Sequence, residues 1–180
     1  MSARGLFPRL LGEDWAALPE SVRRAHAGTG AVALRGRARA VGASGAAALV
    51  RGLQGLPSPG PHPTWVTIAS DGRTERWTRR FGPRRFSSTL APAKDAPGAF
   101  EERAGLATYR FTLQARPDGF AWIFRSWRLG PIPLPRAWAP RIRARIFARD
   151  DGAYRFRILV AHPWLGVIFG YAGRLTWDEA

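Results

Sequence analysis

The sequence predicts an α+β fold, mostly β. The expected form is a strongly curved antiparallel sheet or incomplete barrel of about eight to ten strands, with short N-terminal helices and one helix after the first strand. Three observations carry this. Apolar and polar residues alternate in run after run between residues 31 and 177, the period of a half-buried strand. Turn-forming "DG" at 71–72, "PDG" at 117–119 and "DDG" at 150–152 separate those runs as hairpin loops do. Helical spacing of apolar residues is confined to the N-terminus and a short stretch before Pro57.

Each element has its own justification. In "LFPRLLGEDWAALPESVRRAH" (6–26), Leu6, Leu10, Leu11, Trp15, Leu18 and Val22 fall near helical spacing, and two short helices are expected. Pro19 suits the start of the second, with Glu20 at its positive end, and Gly28 and Gly30 follow its end. In "AVALRGRARAV" (31–41), Val32, Leu34, Ala38 and Ala40 share one strand face, and Arg35, Arg37 and Arg39 the other. Ser44 is placed to cap a helix carrying Leu49, Val50, Leu53 and Leu56, which Pro57 stops. "PSPGPHP" (57–63) reads as a loop.

Strands then follow one another. "TWVTIASDGRTERWTRRF" (64–81) is a hairpin; a two-residue Asp71-Gly72 turn sets Val66 opposite Trp77 and Ile68 opposite Glu75. "RRFSSTL" (84–90) and "AFEER" (99–103) are shorter strands around a loop. In "LATYRFTLQARPDGFAWIFRSWRL" (106–129) both faces carry bulk: Phe120, Trp122 and Phe124 one way, Ile123 and Trp127 the other. A strand apolar on both faces is covered on both. For the hairpin at 139–162, the apolar pattern favours a three-residue loop, with Ile146 facing Phe156 and Arg145 facing Arg157. The last strand, "GVIFGYAGRLTW" (166–177), carries Gly170 and Gly173, which suggest a bulge or tight bend. Residues 1–180 read as one domain, with a helical segment at 6–26 and the sheet at 31–177.

Composition narrows the function classes. Cysteine is absent, which excludes disulfides and thiolate metal sites. No run approaches the ~20 apolar residues of a membrane-spanning helix, and a soluble, cytoplasmic protein is the default expectation. The formal charge of +15 suggests polyanion binding, but Lys94 is the only lysine and asparagine is absent. That bias fits a GC-rich genome, so part of the arginine excess is coding bias. Weak polyanion attraction through arginine stripes is expected, without specific nucleic-acid recognition.

Several stretches together carry a resemblance. "FPRLLGEDWAALPESVRRAHAG" (7–28), "GLPSPG" (55–60), "FEERAGLATYRFTL" (100–113), "LGPIPLPRAWAPRIRAR" (129–145) and "HPWLGVIFGYAGRL" (162–175) resemble an uncharacterised bacterial family, domain of unknown function 4166. The resemblance implies no catalytic residue. It does imply an NAD(P)-dependent oxidoreductase as a neighbour, since family members occur alone or attached to reductase-like domains. No G-x-G-x-x-G dinucleotide motif is present in this chain itself.

Candidate chemistry is sparse. His26, His62 and His162 have no metal-ligand spacing, and neither metal nor cofactor is expected. Ser87 and Ser88 lack a nucleophile-elbow motif. Glu101 and Glu102 are adjacent in a strand, so one faces inward, to act as an acid or base or to pair with arginine. Glu75, on an apolar face, is expected to pair with arginine. Arg143, Arg145, Arg155 and Arg157 gather on one sheet face, where a phosphate or carboxylate could be held.

The leading expectation is a non-catalytic domain that binds a small apolar or lipid-like ligand within the curved sheet. Tyr109, Phe111, Trp122, Phe124, Tyr154 and Phe156 are the expected cavity lining, with Glu101, Glu102, Arg145 and Arg157 as polar candidates. The proline-broken segment "WRLGPIPLPRAW" (127–138) is read as a stiff connection whose Ile132, Leu134 and Trp138 fold over an open end, as a lid if a cavity lies beneath. The alternatives are an accessory module docking on an oxidoreductase through an apolar patch at 129–140, weak polyanion binding, and an enzyme using an inward Glu101 or Glu102.

Overall fold

The computed structural model describes residues 5–43, 45–53 and 55–178. Two short helices, α1 (Leu6–Leu11) and α2 (Glu20–His26), flank a 3₁₀ turn at Gly12–Ala17. The first strand, β1 (Gly30–Val41), is followed by α3 (Ala46–Leu53). Next come β2 (Gly60–Ser70), β3 (Glu75–Phe81), β4 (Arg84–Pro92), β5 (Ala99–Ala104), β6 (Ala107–Arg116) and β7 (Gly119–Leu129). A two-residue strand, β8 (Ile132–Pro133), precedes β9 (Arg141–Phe147), β10 (Tyr154–His162) and β11 (Gly166–Trp177).

Each strand from β1 to β7 pairs antiparallel with the next; β7 then pairs with β9, β9 with β10, β10 with β11 and β11 with β1. The curved sheet therefore closes into a ten-strand barrel, with β8 a short addition to the end of β7. Closure goes one step past the expected incomplete barrel. It removes the unpaired edges that an open sheet would offer to other chains.

The two ends of the barrel differ. The turns after β2, β4, β6 and β9 gather at the end where α1 and α2 sit. The turns after β1, β3, β5, β7 and β10 gather at the other end, called the mouth here. Helical spacing puts Leu6, Phe7, Leu11, Val22 and Ala25 on the buried side, and α1 and α2 stopper their end with this face. The Phe7 ring lies within 6.5 Å of the rings of His26, Trp77, Phe100, Phe120 and Trp122.

Strand alternation fixes what points inside. Along β3 the inward residues are Glu75, Trp77, Arg79 and Phe81. Along β1 they are Leu34, Ala38 and Ala40, with the arginines between them facing out, as the pattern requires. Gly173 on β11 allows close approach: a Cβ there would sit 2.7 Å from both Ala38 Cβ and the Phe156 ring. The bulge expected in this strand falls at Ile168, which is left unpaired between the Val160–Phe169 and Ala161–Val167 pairs.

Several local expectations are corrected. The β2–β3 turn holds four residues, not two, so Ile68 faces Trp77 and Ser70 faces Glu75. The cause is Asp71, whose carboxylate accepts from Arg73 N, Thr74 N and Thr74 Oγ. Residues 60–63, expected in a loop, begin β2 with Pro61 and Pro63. Gly82 N donates to Pro63 O, so Pro63 turns its missing N–H toward the β3 side, beyond the last β2–β3 pair at Thr64 and Phe81. A bulge opposite Arg110 and Phe111 reverses the parity of β7, placing Trp127 on the same face as Phe124 and stacking it with Tyr109. In α3, Leu49 is 67% exposed. The expected cap, Ser44, lies outside the described residues. The β9–β10 register pairs Ile146 with Phe156 and Arg145 with Arg157, as the apolar pattern demands.

Candidate functional site

Inside the barrel, between the aromatic stopper and the mouth, lies a cavity of ≈160 Å³. Its walls are mostly apolar: Phe86, Ile142, Ile158, Ile168 and Phe169 come from the mouth half, while Trp77, Trp122 and Ile146 form its deeper part. Leu56, in the connection after α3, also reaches it. The alternation of β4, β9 and β10 delivers these side chains to the inner face, and the register shift at Ile168 lets the adjacent Ile168 and Phe169 both reach it.

One charged group enters from β3. Arg79 is 4% exposed, and its Nη1 donates to Ser88 Oγ at 3.0 Å. Its Nη2 lies 3.8 Å from Glu102 Oε1. The guanidinium is also packed against aromatic rings, 4.8 Å from the centroid of Trp77 and 5.6 Å from that of Phe86. All of Arg79, Ser88, Glu102 and Trp77 line the cavity. A buried charge needs a partner, and Glu102 supplies it, so the site is electrically balanced.

Hydrogen-bonding capacity is left over. The indole N–H of Trp122, a buried residue in the cavity wall, has no partner among the described residues. Tyr109 and Tyr171 also line the cavity. Burial, aided by the nearby Glu102 charge, pushes the Tyr109 hydroxyl up to about 12. Burial pushes Tyr171 up to about 12 as well, with Arg79 opposing and Glu102 adding to the rise. Both phenols stay protonated, and so remain donors, at neutral pH.

A second polar cluster sits under the stopper. His26, the last residue of α2, places Nδ1 3.0 Å from Glu75 Oε2 and Nε2 3.1 Å from the Tyr154 hydroxyl. Trp77 Nε1 donates to the same Glu75 oxygen at 2.7 Å. A neutral imidazole satisfies both contacts, its Nδ1–H donating to the carboxylate and its Nε2 accepting from the tyrosine. Burial, then the Glu75 charge, holds the Tyr154 hydroxyl well above its ordinary value. Glu75 is thus bound to histidine and tryptophan rather than to the expected arginine. The network is fully buried and ties the end of α2 to the barrel wall. The Trp77 ring stacks on His26 and also lines the cavity, so it stands between the two clusters.

The structure separates the residues singled out from the sequence. Tyr109, Trp122 and Glu102 line the cavity. Phe111 is fully buried in the packed interior, and Tyr154 and Phe156 border only a void of ≈10 Å³. Phe124 lines an outer groove with Arg136, Arg141 and Arg143. Glu101 faces outward, where hydrogen bonds from Arg110 and Arg128 outweigh burial and hold its carboxyl below the ordinary range. Arg145 pairs with Asp118, and Arg157 is exposed. Sequence reasoning missed Arg79 and weighed Ser88 only as a nucleophile, although the parity that turned Glu75 and Trp77 inward applies equally to Arg79. It also placed His26 only at a helix end. Among the described residues no group of three or more His, Asp or Glu is placed to hold a metal ion.

The segment at 127–138 is held in place by hydrogen bonds of its own. Trp127 Nε1 donates to Pro135 O, and Leu134 N donates to Trp127 O. Ile132 and Trp138 stand 61% and 51% exposed, and Leu134 is half-buried; of the continuing chain, Pro140 is the first residue to reach the cavity.

The fold and site together define a closed antiparallel barrel, stoppered at one end by helices, with an internal cavity holding one balanced charge pair. The chain belongs to the family described as domain of unknown function (DUF4166), whose family model matches residues 18–175. No curated protein sequence gives a significant match. No helix among the described residues is long and apolar enough to cross a membrane.

Proposed function

We propose that this barrel is a non-catalytic binding domain for a small apolar or lipid-like molecule. The observation that supports it is the cavity of ≈160 Å³, mostly apolar and with a few polar groups gathered on one side. A cavity of roughly 150 Å³ in an engineered protein takes up benzene, so a ring or short chain of that size is suited to this one. Arg79 and Glu102 offset each other, which favours an uncharged polar end on the ligand. The free indole N–H of Trp122 and the protonated Tyr109 and Tyr171 hydroxyls suit an oxygen acceptor such as a ketone, ester or alcohol.

Native mass spectrometry of the purified protein, followed by solvent extraction, tests this reading. A released small molecule of this class is the expected result. A ligand-free protein that also takes up no added medium-chain alcohol overturns it.

A docking role is favoured by a separate observation: Leu129, Ile132 and Trp138 are exposed on the connection between β7 and β9. The implied oxidoreductase neighbour makes a reductase one candidate for such a contact. Co-purification with a reductase tests that role, and its failure counts against it.

A further inference from the structure

We propose that the mouth of the barrel is a docking face for an anionic lipid bilayer. The inference stands independently of what the cavity holds. Three observations meet at this one end.

The first is where apolar surface is left uncovered. Among the described residues, every exposed large apolar side chain lies at the mouth. Leu49 comes from α3, Leu106 from the β5–β6 turn, Ile132 and Trp138 from the β7–β9 connection, and Trp164 from the β10–β11 turn. Leu106 is 78% exposed and Trp164 72%. Side chains from separate turns thus form a ring and not one linear patch. Trp138 and Trp164 are of the type that settles at a membrane–water interface.

The second is charge. The mouth segments 41–60, 81–84, 104–107, 129–141 and 162–166 contain no aspartate or glutamate. Exposed arginines flank them: Arg84, Arg85, Arg103, Arg136, Arg141 and Arg143. The opposite end carries Asp71, Asp95, Asp118, Asp150 and Asp151 in its turns. The mouth turns therefore carry positive charge with no acid within them, complementary to an anionic surface.

The third is a groove of ≈410 Å³ lined by Arg136, Arg141, Arg143, Phe124 and Pro163 on the rim. It sets three guanidinium groups beside apolar surface, an arrangement suited to a phosphate headgroup and the start of its chains. The outer wall carries Arg35, Arg37, Arg39 and Arg174 but, among the described residues, no exposed large apolar side chain away from the mouth, so contact is end-on.

Flotation with phosphatidylglycerol/phosphatidylcholine vesicles, compared with pure phosphatidylcholine, tests the proposal. Binding to the anionic vesicles is expected to be about tenfold tighter or more, and to weaken as salt rises. Trp138→Ser with Trp164→Ser is expected to cut that binding by about fivefold or more at unchanged thermal stability, because both side chains are exposed. Replacing Arg84, Arg85, Arg136 and Arg141 with glutamine is expected to abolish the preference for anionic lipid. The proposal is overturned by equal binding to both vesicle types, or by none. It is also overturned if the tryptophan pair leaves vesicle binding unchanged, or if light scattering shows a dimer whose formation shields Trp164 from quenching.

Discussion

Nη2 of Arg79 on β3 lies 3.8 Å from Oε1 of Glu102 on β5, over the intervening strand β4, and both groups face the same cavity. Arg79 is almost fully buried and Glu102 largely so, and each is tolerated because of the other.

Removing one member of the pair therefore costs more than removing both. Arg79→Met is expected to destabilise the fold by about 3–5 kcal/mol, leaving Glu102 uncompensated. Adding Glu102→Leu to it is expected to recover part of that loss. Urea unfolding of the two single variants and the double variant checks this; additive losses would contradict it.

The stopper is expected to be a major source of stability. Phe7→Ala empties the centre of the aromatic cluster and is expected to cost about 3–5 kcal/mol. Tyr154→Phe removes one hydrogen bond to His26 and is expected to cost about 1 kcal/mol. Thermal unfolding measures both. If Phe7→Ala unfolds like the parent, the helices do not close the barrel as described.

The chain has three tyrosines, and burial raises all of them: Tyr109 and Tyr171 to about 12, and Tyr154 well above its ordinary value. A hydroxyl whose value is raised on folding binds its proton more tightly in the native state. The stability it contributes is full below the unfolded value of about 10 and is lost as pH climbs through about 12. Ultraviolet titration is expected to give no tyrosinate near pH 10 while the barrel is folded. A normal midpoint for any tyrosine would contradict the described burial.

Gly173 is expected to tolerate no side chain without loss. Gly173→Val would press on Ala38, Phe156 and the Arg37 carbonyl, at a cost of about 1–3 kcal/mol or more. Unfolding by denaturant measures the loss, and a neutral result would mean that β1 and β10 yield more than packed walls do.

Much of this barrel is legible one strand at a time. Alternation placed Leu34, Ala38 and Ala40 inside, and the apolar match of Ile146 with Phe156 fixed a hairpin register. What alternation could not carry is the joining of distant strands: β1 meets β11 only because the sheet coils fully round. Local hydrogen bonds also overrule pattern, as at Asp71, where side-chain acceptance lengthened the turn. A single bulge overrules it too, turning Trp127 to the face of Tyr109. The site was legible in part. Trp122 was named, and parity turned one of Glu101 and Glu102 inward without saying which; Arg79 was missed, because arginine is ordinarily read as solvated and its partner Glu102 lies on another strand.

The central claim is that the cavity takes up a small apolar molecule, and methyl NMR with 1-hexanol as the probe tests it most directly. Saturable shifts are expected at Ile142, Ile158, Ile168 and Ala144, together with a shift of the Trp122 indole N–H. Ala144→Phe, which fills the same space, is expected to abolish them. Shifts confined to the barrel exterior, or unchanged uptake in Ala144→Phe, would contradict the account.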